Sequence, residues 1–318
     1  NFTNPSGLVA QALRDAGFER TIGICDGANT GQGAIADWLG VEPNRVRAEV
    51  FGLNHLSWCR QAWLDGVEHM QPALSDETFL RRYQSLFDPA LVRQVGAYCM
   101  EYLYYYYYAE QAVAAIKAGG QTRGEEIVEL NQRLLEQLEE VGVERNPERA
   151  LRTFFGYEKR RGATYMHYAY GGQSIEAANR QQVFDAEIPA SAGEGYAGVA
   201  LSVMDALVNN RTHYTALNVP NRGAIPGMAD DDVVEISCRV DASGVHTLPV
   251  SQVSQPQLNL MRTIKLYERL TVAAIQRHSR ELAIQALMVH PLVLSYPRAC
   301  ALVEEYLSAH ADFVGQWQ

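Results

Sequence analysis

The sequence predicts a mixed α/β and α+β fold, and three observations carry that expectation. Between residues 5 and 40 the order is helix, buried strand, glycine-rich turn and helix, the rhythm of a doubly wound unit. Residues 47–66, "RAEVFGLNHLSWCRQAWLDG", alternate apolar and polar side chains about a turn at Gly52 to His55, as two paired strands do. Residues 75–145 then read as mostly helical.

The elements follow in order. From Pro5 to Ala16, Leu8, Val9, Ala12 and Leu13 recur at helical spacing, and Pro5 suits a first helical turn. "RTIGICDG" predicts a short buried strand, "GANTGQG" a tight turn, and "AIADWLG" a helix closed by Gly40. The strand-rich part is expected to end by Gly66. "LFDPALVRQVGAY", the tyrosine segment through Ala118 and "TRGEEIVELNQRLLEQLEEVG" are three helices, the last with an apolar face of Ile127, Leu130, Leu134, Leu135 and Leu138. Residues 146–195 are irregular and aromatic, a loop over a site or a packing arm. "AGVALSVMDALVNN" predicts a helix, "HYTALNV" a strand, and "VVEISCRVDASGVHTL" a hairpin turning on "DASG". A long helical region ends at Pro291, and a last helix runs from about Arg298 to Phe313.

At 318 residues, 47% of them hydrophobic and 20% charged, the chain has material for one large or two ordinary domains. A net charge of −10 argues against a nucleic-acid partner, so an anionic ligand would need a local arginine. No apolar run approaches the roughly 18–20 residues of a membrane span, and no leader precedes the first helix; we expect a cytoplasmic protein without a membrane partner. Five widely spaced cysteines with no CxxC pair fit a reducing compartment.

Several residues stand out for their chemistry. Cys25 and Asp26 end the expected strand, where open α/β sheets bind ligands, and a thiol beside a carboxylate can bind a metal and donate a proton. The plain alternative is a buried structural cysteine. His55 sits at a turn, and with Cys25 it makes an N/S pair acceptable to zinc, iron or manganese, unless it is only a satisfied structural histidine. The glycines at 27, 31 and 33 lack dinucleotide-fingerprint spacing. Arg123 stands in a first helical turn, against the helix dipole, which suits an anion-binding role as well as an exposed helix start. Tyr102 and the run Tyr104 to Tyr108 surround a helix axis, with Tyr102, Tyr105 and Tyr106 on one face, so most of their ring area should be buried. Spacing alone does not say which phenol has a chemical role.

Read together, "NFTNPSG", "IGICD", "FGLNHLSW", "YLYYYY", "TRGEEI", "NVPNRGAI" and "VHTLPVSQ…KLYERLTVAAI" resemble glycoside hydrolase family 4, the NAD- and metal-dependent glycosidases, in family order along nearly the whole chain. The resemblance is strongest to the 6-phospho-β-glucosidase branch, through "GLNHLSW" and the C-terminal block. It implies the end of a Rossmann-like NAD-binding domain over residues 1–50, then a lactate dehydrogenase C-terminal-like α+β domain for substrate, metal and oligomerisation over residues 51–318. It also implies NAD and Mn2+, or another divalent metal, a 6-phosphorylated disaccharide or glucoside as substrate, and a homodimer or homotetramer. The family departs from the two-carboxylate scheme of glycosidases. Carbon 3 of the sugar is oxidised by NAD, a tyrosine takes the carbon-2 proton, the glycosidic oxygen is eliminated, water adds and carbon 3 is reduced again.

By motif, Cys25 and His55 resemble the metal ligands, Asn4 a substrate-binding asparagine, Tyr102 the base, and Arg123 the arginine that holds the 6-phosphate. Asp26 follows the ligand cysteine where phospho-α-glucosidases place an acid, so "CD" leans to the α anomer while "GLNHLSW" leans to β. "CDGANTGQG" also departs from the family's usual continuation with Pro-Ile-Gly, and Ala229 stands where Pro is usual. Members carry a glycine-rich nucleotide loop at the N-terminus, and this chain, whose first residue is not Met, is expected to be a piece that starts after it. A 6-phospho-α-glucosidase, a lactate- or malate-type dehydrogenase and a non-catalytic sugar-phosphate-binding relative are the alternatives.

Overall fold

The structure, a computed structural model, describes residues 1–170, 183–189 and 195–318. In chain order its helices and strands are α1 (Ser6–Asp15), α2 (Thr30–Leu39), β1 (Val46–Leu53), β2 (Leu56–Leu64), β3 (Val67–Glu68), α3 (Met70–Ser75), α4 (Glu77–Tyr83), α5 (Pro89–Val95), β4 (Tyr98–Cys99), α6 (Tyr104–Tyr107), α7 (Ala109–Ala118), α8 (Arg123–Val141) and α9 (Pro147–Ala163). They continue with α10 (Gly195–Asn209), β5 (His213–Pro220), β6 (Val233–Asp241), β7 (Gly244–Thr247), α11 (Gln255–Arg277), α12 (Arg280–Val289), α13 (Tyr296–Ala309) and α14 (Ala311–Val314). The chain divides into two compact units, Asn1–Tyr106 with Gly193–Gln318, and Tyr107–Ala192.

The first unit is built on one sheet of order β3-β2-β1-β6-β5, with β4 added to β2 and β7 to β6, and every ladder among the described residues is antiparallel. β1 and β6 are central and almost wholly buried, so the polar residues of the alternating β1 segment are largely covered as well. Phe51 and Trp58, both essentially inaccessible, stack across β1 and β2 with ring centroids 5.8 Å apart. Helix α2 covers β1 and β2, while α1 packs on β6 and α11. Gly31 permits that cover: a Cβ there would lie 2.6 Å from Cys59 Cβ on β2.

The mixture of helix and sheet is as expected, and several local expectations are corrected. "RTIGICDG" is not a strand, since only Gly23 forms a bridge, with Asn218 of β5. The chain then turns at Asp26, whose carboxylate accepts from the Gly27 N–H at 3.0 Å and opens a short 3-10 helix, Gly27–Asn29. Gly31 and Gly33 therefore lie inside α2 and not in a turn. The sheet continues past Gly66 into β3. The long C-terminal helix breaks at His278, in the left-handed region at φ 48°, between α11 and α12.

The second unit consists of α7, α8, α9 and the 183–189 segment. Thr122 and Glu125 form a reciprocal capping box at the start of α8. Leu130, Tyr157 and Phe184 make a small core with Leu134 against it. Leu135, expected on the buried face, is 67% exposed. The segment read as irregular from residue 146 begins instead with the regular helix α9, entered through Pro147; its remainder at 171–182 and 190–194 lies outside the described residues.

Candidate functional site

The centre of the first unit is the β1–β2 hairpin. Leu53 pairs with Leu56, leaving a two-residue turn of Asn54 and His55. His55 has φ 66°, uncommon for a residue with a side chain and a feature that gathers at functional sites. Gly52 admits the tight return, because a Cβ there would meet the Leu56 carbonyl oxygen at 2.3 Å. Asn54 locks the turn to the start of α1: its Oδ1 accepts from the Ser6 N–H at 2.6 Å and the Gly7 N–H at 3.4 Å.

Cys25 is buried at 2% exposure. Burial, then the nearby Glu235 carboxyl, pushes its thiol up to about 12, opposed in part by the Gly27 backbone and the Asn54 side chain. His55 is held below its ordinary value by burial, with the Asp26 carboxylate pulling the other way. The imidazole is thus kept neutral and available as a ligand. Asn4 Nδ2 donates to the Tyr196 hydroxyl at 2.8 Å. Burial raises that phenol to about 12, and Asp26 and Cys25 also act on it.

Tyr102 stands beside His55. It lies in a short 3-10 helix, Glu101–Leu103, with its ring 4.5 Å from the His55 ring and 6.2 Å from that of Tyr105. Tyr102, Tyr105 and Tyr106 share one wall of a cavity of about 320 Å3, which also touches His55, Glu268 and His290. The shared face predicted for these three rings is therefore realised, although the continuous aromatic helix is not. After the 3-10 turn comes the four-residue α6, and the backbone breaks at Tyr108, φ −128° and ψ 39°, before α7. The tyrosines are mostly covered, as expected: Tyr104 is at 7% exposure, Tyr102, Tyr105, Tyr107 and Tyr108 are half-buried, and Tyr106, at 41%, is the exposed one of the six.

Within the first unit the fold thus brings Asn4, Cys25, Asp26, His55 and Tyr102 to one place. Arg123 belongs to the second unit. There it is the first residue of α8, with its guanidinium 5.5 Å from the Tyr165 ring and its Nε buried without a hydrogen-bond partner.

Residues 50–293 match the profile described as "Family 4 glycosyl hydrolase C-terminal domain". The chain belongs to glycoside hydrolase family 4. It is 26% identical to the 6-phospho-beta-glucosidase BglT of Thermotoga maritima over 99% of this chain and 66% of that protein. It is 24% identical to a probable 6-phospho-beta-glucosidase of Bacillus subtilis, over 100% of this chain and 66% of the relative. The chain therefore spans just under two thirds of the length of these relatives. A solved structure of the Thermotoga maritima enzyme with NAD and glucose-6-phosphate superposes with a TM-score of 0.75 at 25% identity, covering 99% of this chain and 66% of that one. A second, with manganese, NAD+ and glucose-6-phosphate, gives 0.74 at 25% identity, covering 99% and 65%.

Among the described residues no group of three or more His, Cys, Asp or Glu side chains is placed to hold an ion. One thiol and one neutral imidazole fit an ion that takes its remaining ligands from substrate or water. The "GANTGQG" glycines are not a nucleotide loop: they form a 3-10 turn and the first turn of α2, with Gly31 packed on Cys59.

Three site residues escaped sequence reasoning. Asn54 adjoins His55 and was read only as part of a turn. Glu235 left a signal, an acid within the apolar run "VVEISC", which on a central strand must be buried. Tyr196, at the start of α10, left none.

Proposed function

We propose that this chain is part of an NAD- and divalent-metal-dependent 6-phospho-β-glucosidase. The observation that carries the reading is the meeting of Cys25, Asp26 and His55 with the Tyr102 phenol, its ring 4.5 Å from the His55 imidazole, in a family 4 chain. A divalent ion held by Cys25 and His55, manganese by preference, would supply Lewis acidity beside the sugar. Tyr102 would then accept the proton from carbon 2 of the oxidised sugar, Asp26 would serve the glycosidic oxygen as it leaves, and Asn4 would orient a sugar hydroxyl. Arg123 would hold the 6-phosphate, since its guanidinium is presented by a ring stack with Nε unpartnered. Oxidation at carbon 3 is the nucleotide's part of the reaction and is assigned to no residue here.

On this reading residues 1–50 finish the nucleotide-binding domain and residues 51–318 form the domain for substrate, metal and self-association; the family profile from residue 50 supports that division. A phosphorylated substrate and five free cysteines favour a cytoplasmic setting, and no described helix is long and apolar enough to cross a membrane. The expected homodimer or homotetramer is part of the proposal and is measured by sedimentation.

The test is release of nitrophenol from 4-nitrophenyl β-glucoside 6-phosphate by the whole enzyme with NAD+ and Mn2+. In deuterated water the sugar product should carry deuterium at carbon 2. Turnover that survives removal of both cofactors would sink the reading, and turnover of the α anomer alone would move it to the 6-phospho-α-glucosidases, to which Asp26 also corresponds.

A further inference from the structure

Glu235 is a fully buried carboxylate in the middle of β6, and the chemistry above does not use it. Its neighbours in the sheet are Gly52 of β1 on one side and Asn218 of β5 on the other. Three side chains from three segments donate to it. Asn54 Nδ2 and Asn218 Nδ2 each reach Oε1 at 3.1 Å, and Ser57 Oγ reaches Oε2 at 2.7 Å. Buried donors of this kind need an acceptor, so the carboxylate fixes all three side chains.

Two of the donors lead directly to the candidate metal ligands. Asn54 is the first residue of the turn whose second residue is His55. Asn218 pairs through its backbone with Gly23, two residues before Cys25: its N–H donates to the Gly23 carbonyl at 2.8 Å, and its carbonyl accepts from the Gly23 N–H at 2.9 Å. That pairing is close enough that a Cβ on Gly23 would lie 2.8 Å from Asn218 Cβ. One oxygen, Oε1, is thus shared between the segment that carries His55 and the segment that is paired to the one carrying Cys25.

We propose that Glu235 is a positioning residue that sets the separation of Cys25 and His55 through its hydrogen bonds to Asn54 and Asn218, and so presets the site for a divalent cation. The inference rests on the reading of Cys25 and His55 as ligands. Groups that orient ligands in this way typically affect metal affinity by about 10- to 100-fold. The hydrogen bonds carry the effect, so an uncharged side chain that keeps the acceptor oxygen should do most of the same work.

The experiment is calorimetric titration of the whole enzyme with Mn2+ alone, with thermal unfolding run on each variant. Glu235→Leu, similar in size but without an acceptor, is expected to bind Mn2+ about 10- to 100-fold more weakly than wild type. Glu235→Gln, which keeps an oxygen for Asn54 and Asn218, should recover all but about threefold of that loss. Asn54→Asp covers the case in which Glu235→Leu does not fold. It keeps the acceptor for Ser6 and Gly7 but cannot donate to Glu235, so Mn2+ affinity should fall about tenfold or more despite the added negative charge. Wild-type affinity in Glu235→Leu, equal losses in the Leu and Gln variants, or tighter binding by Asn54→Asp each overturn the inference while leaving the ligand reading intact. Failure of the wild-type enzyme to bind Mn2+ overturns both.

Discussion

The Tyr102 phenol is the side chain on which the proposed chemistry turns. Tyr102→Phe keeps the ring against His55 and removes only the hydroxyl, so Mn2+ affinity should stay within about twofold while carbon-2 exchange with deuterated water falls about 100-fold or more. Tyr105→Phe, one stack further from His55, should lose much less, and equal losses would mean that the wrong phenol has been chosen. Motif words in the sequence pointed to Cys25, His55 and Tyr102, yet only tertiary structure puts the His55 and Tyr102 rings 4.5 Å apart. The signal of Glu235 was ambiguous for a simpler reason. A lone acid in an apolar strand looks like an outward-facing position until the strand is known to be central and covered on both faces.

Among the elements, the antiparallel hairpins were the most legible, because alternation and turn chemistry are local. β1 and β2 turn at Asn54 and His55, and β6 and β7 turn on "DASG" as read. What failed were short apolar runs whose outcome depends on distant partners. "TIGIC" has strand composition but finds only one bridge, and the tyrosine run has helical spacing but breaks at Tyr108. The two glycines of α2 make a test of opposite signs within one helix. Gly31→Ala forces a Cβ into Cys59 and should lower stability by about 1–3 kcal/mol. Gly33→Ala meets nothing within 4 Å and should raise stability by about 0.5–1 kcal/mol. Urea midpoints of the two variants measure both, and shifts of the same sign would contradict the packing described for this helix.

For the molecule as a whole, stability should depend on pH through its buried imidazoles. His290 and His213 are held below their ordinary value near 6.5 by burial, and His290 Nδ1 also accepts from the Leu292 N–H at 3.3 Å. The unfolded chain then binds protons that the folded chain refuses, so stability is complete above about pH 6.5 and falls as pH drops below it. Glu235 and Glu268, raised by burial, act in the opposite direction: their contribution is lost as pH rises above the ordinary carboxylate range. The His290 share is isolated by His290→Asn, which keeps an acceptor for Leu292. Its melting temperature should fall less between pH 7 and 5.5 than that of wild type, and parallel profiles would show that His290 titrates normally.

The joint between Asn54 and Glu235 also bears on how such a chain can change over generations. The contact joins an amide to an acid, and each residue has further partners that require its oxygens where they are. An acid at position 54 would face the acid at 235, and an amide at 235 would have to turn its oxygen toward Asn54 and Asn218 and rely on Ser57 to reverse its hydroxyl. Neither position can drift freely alone, so the two should be inherited as a pair, with exchanges at one accompanied by exchanges at the other in any lineage that keeps this hairpin.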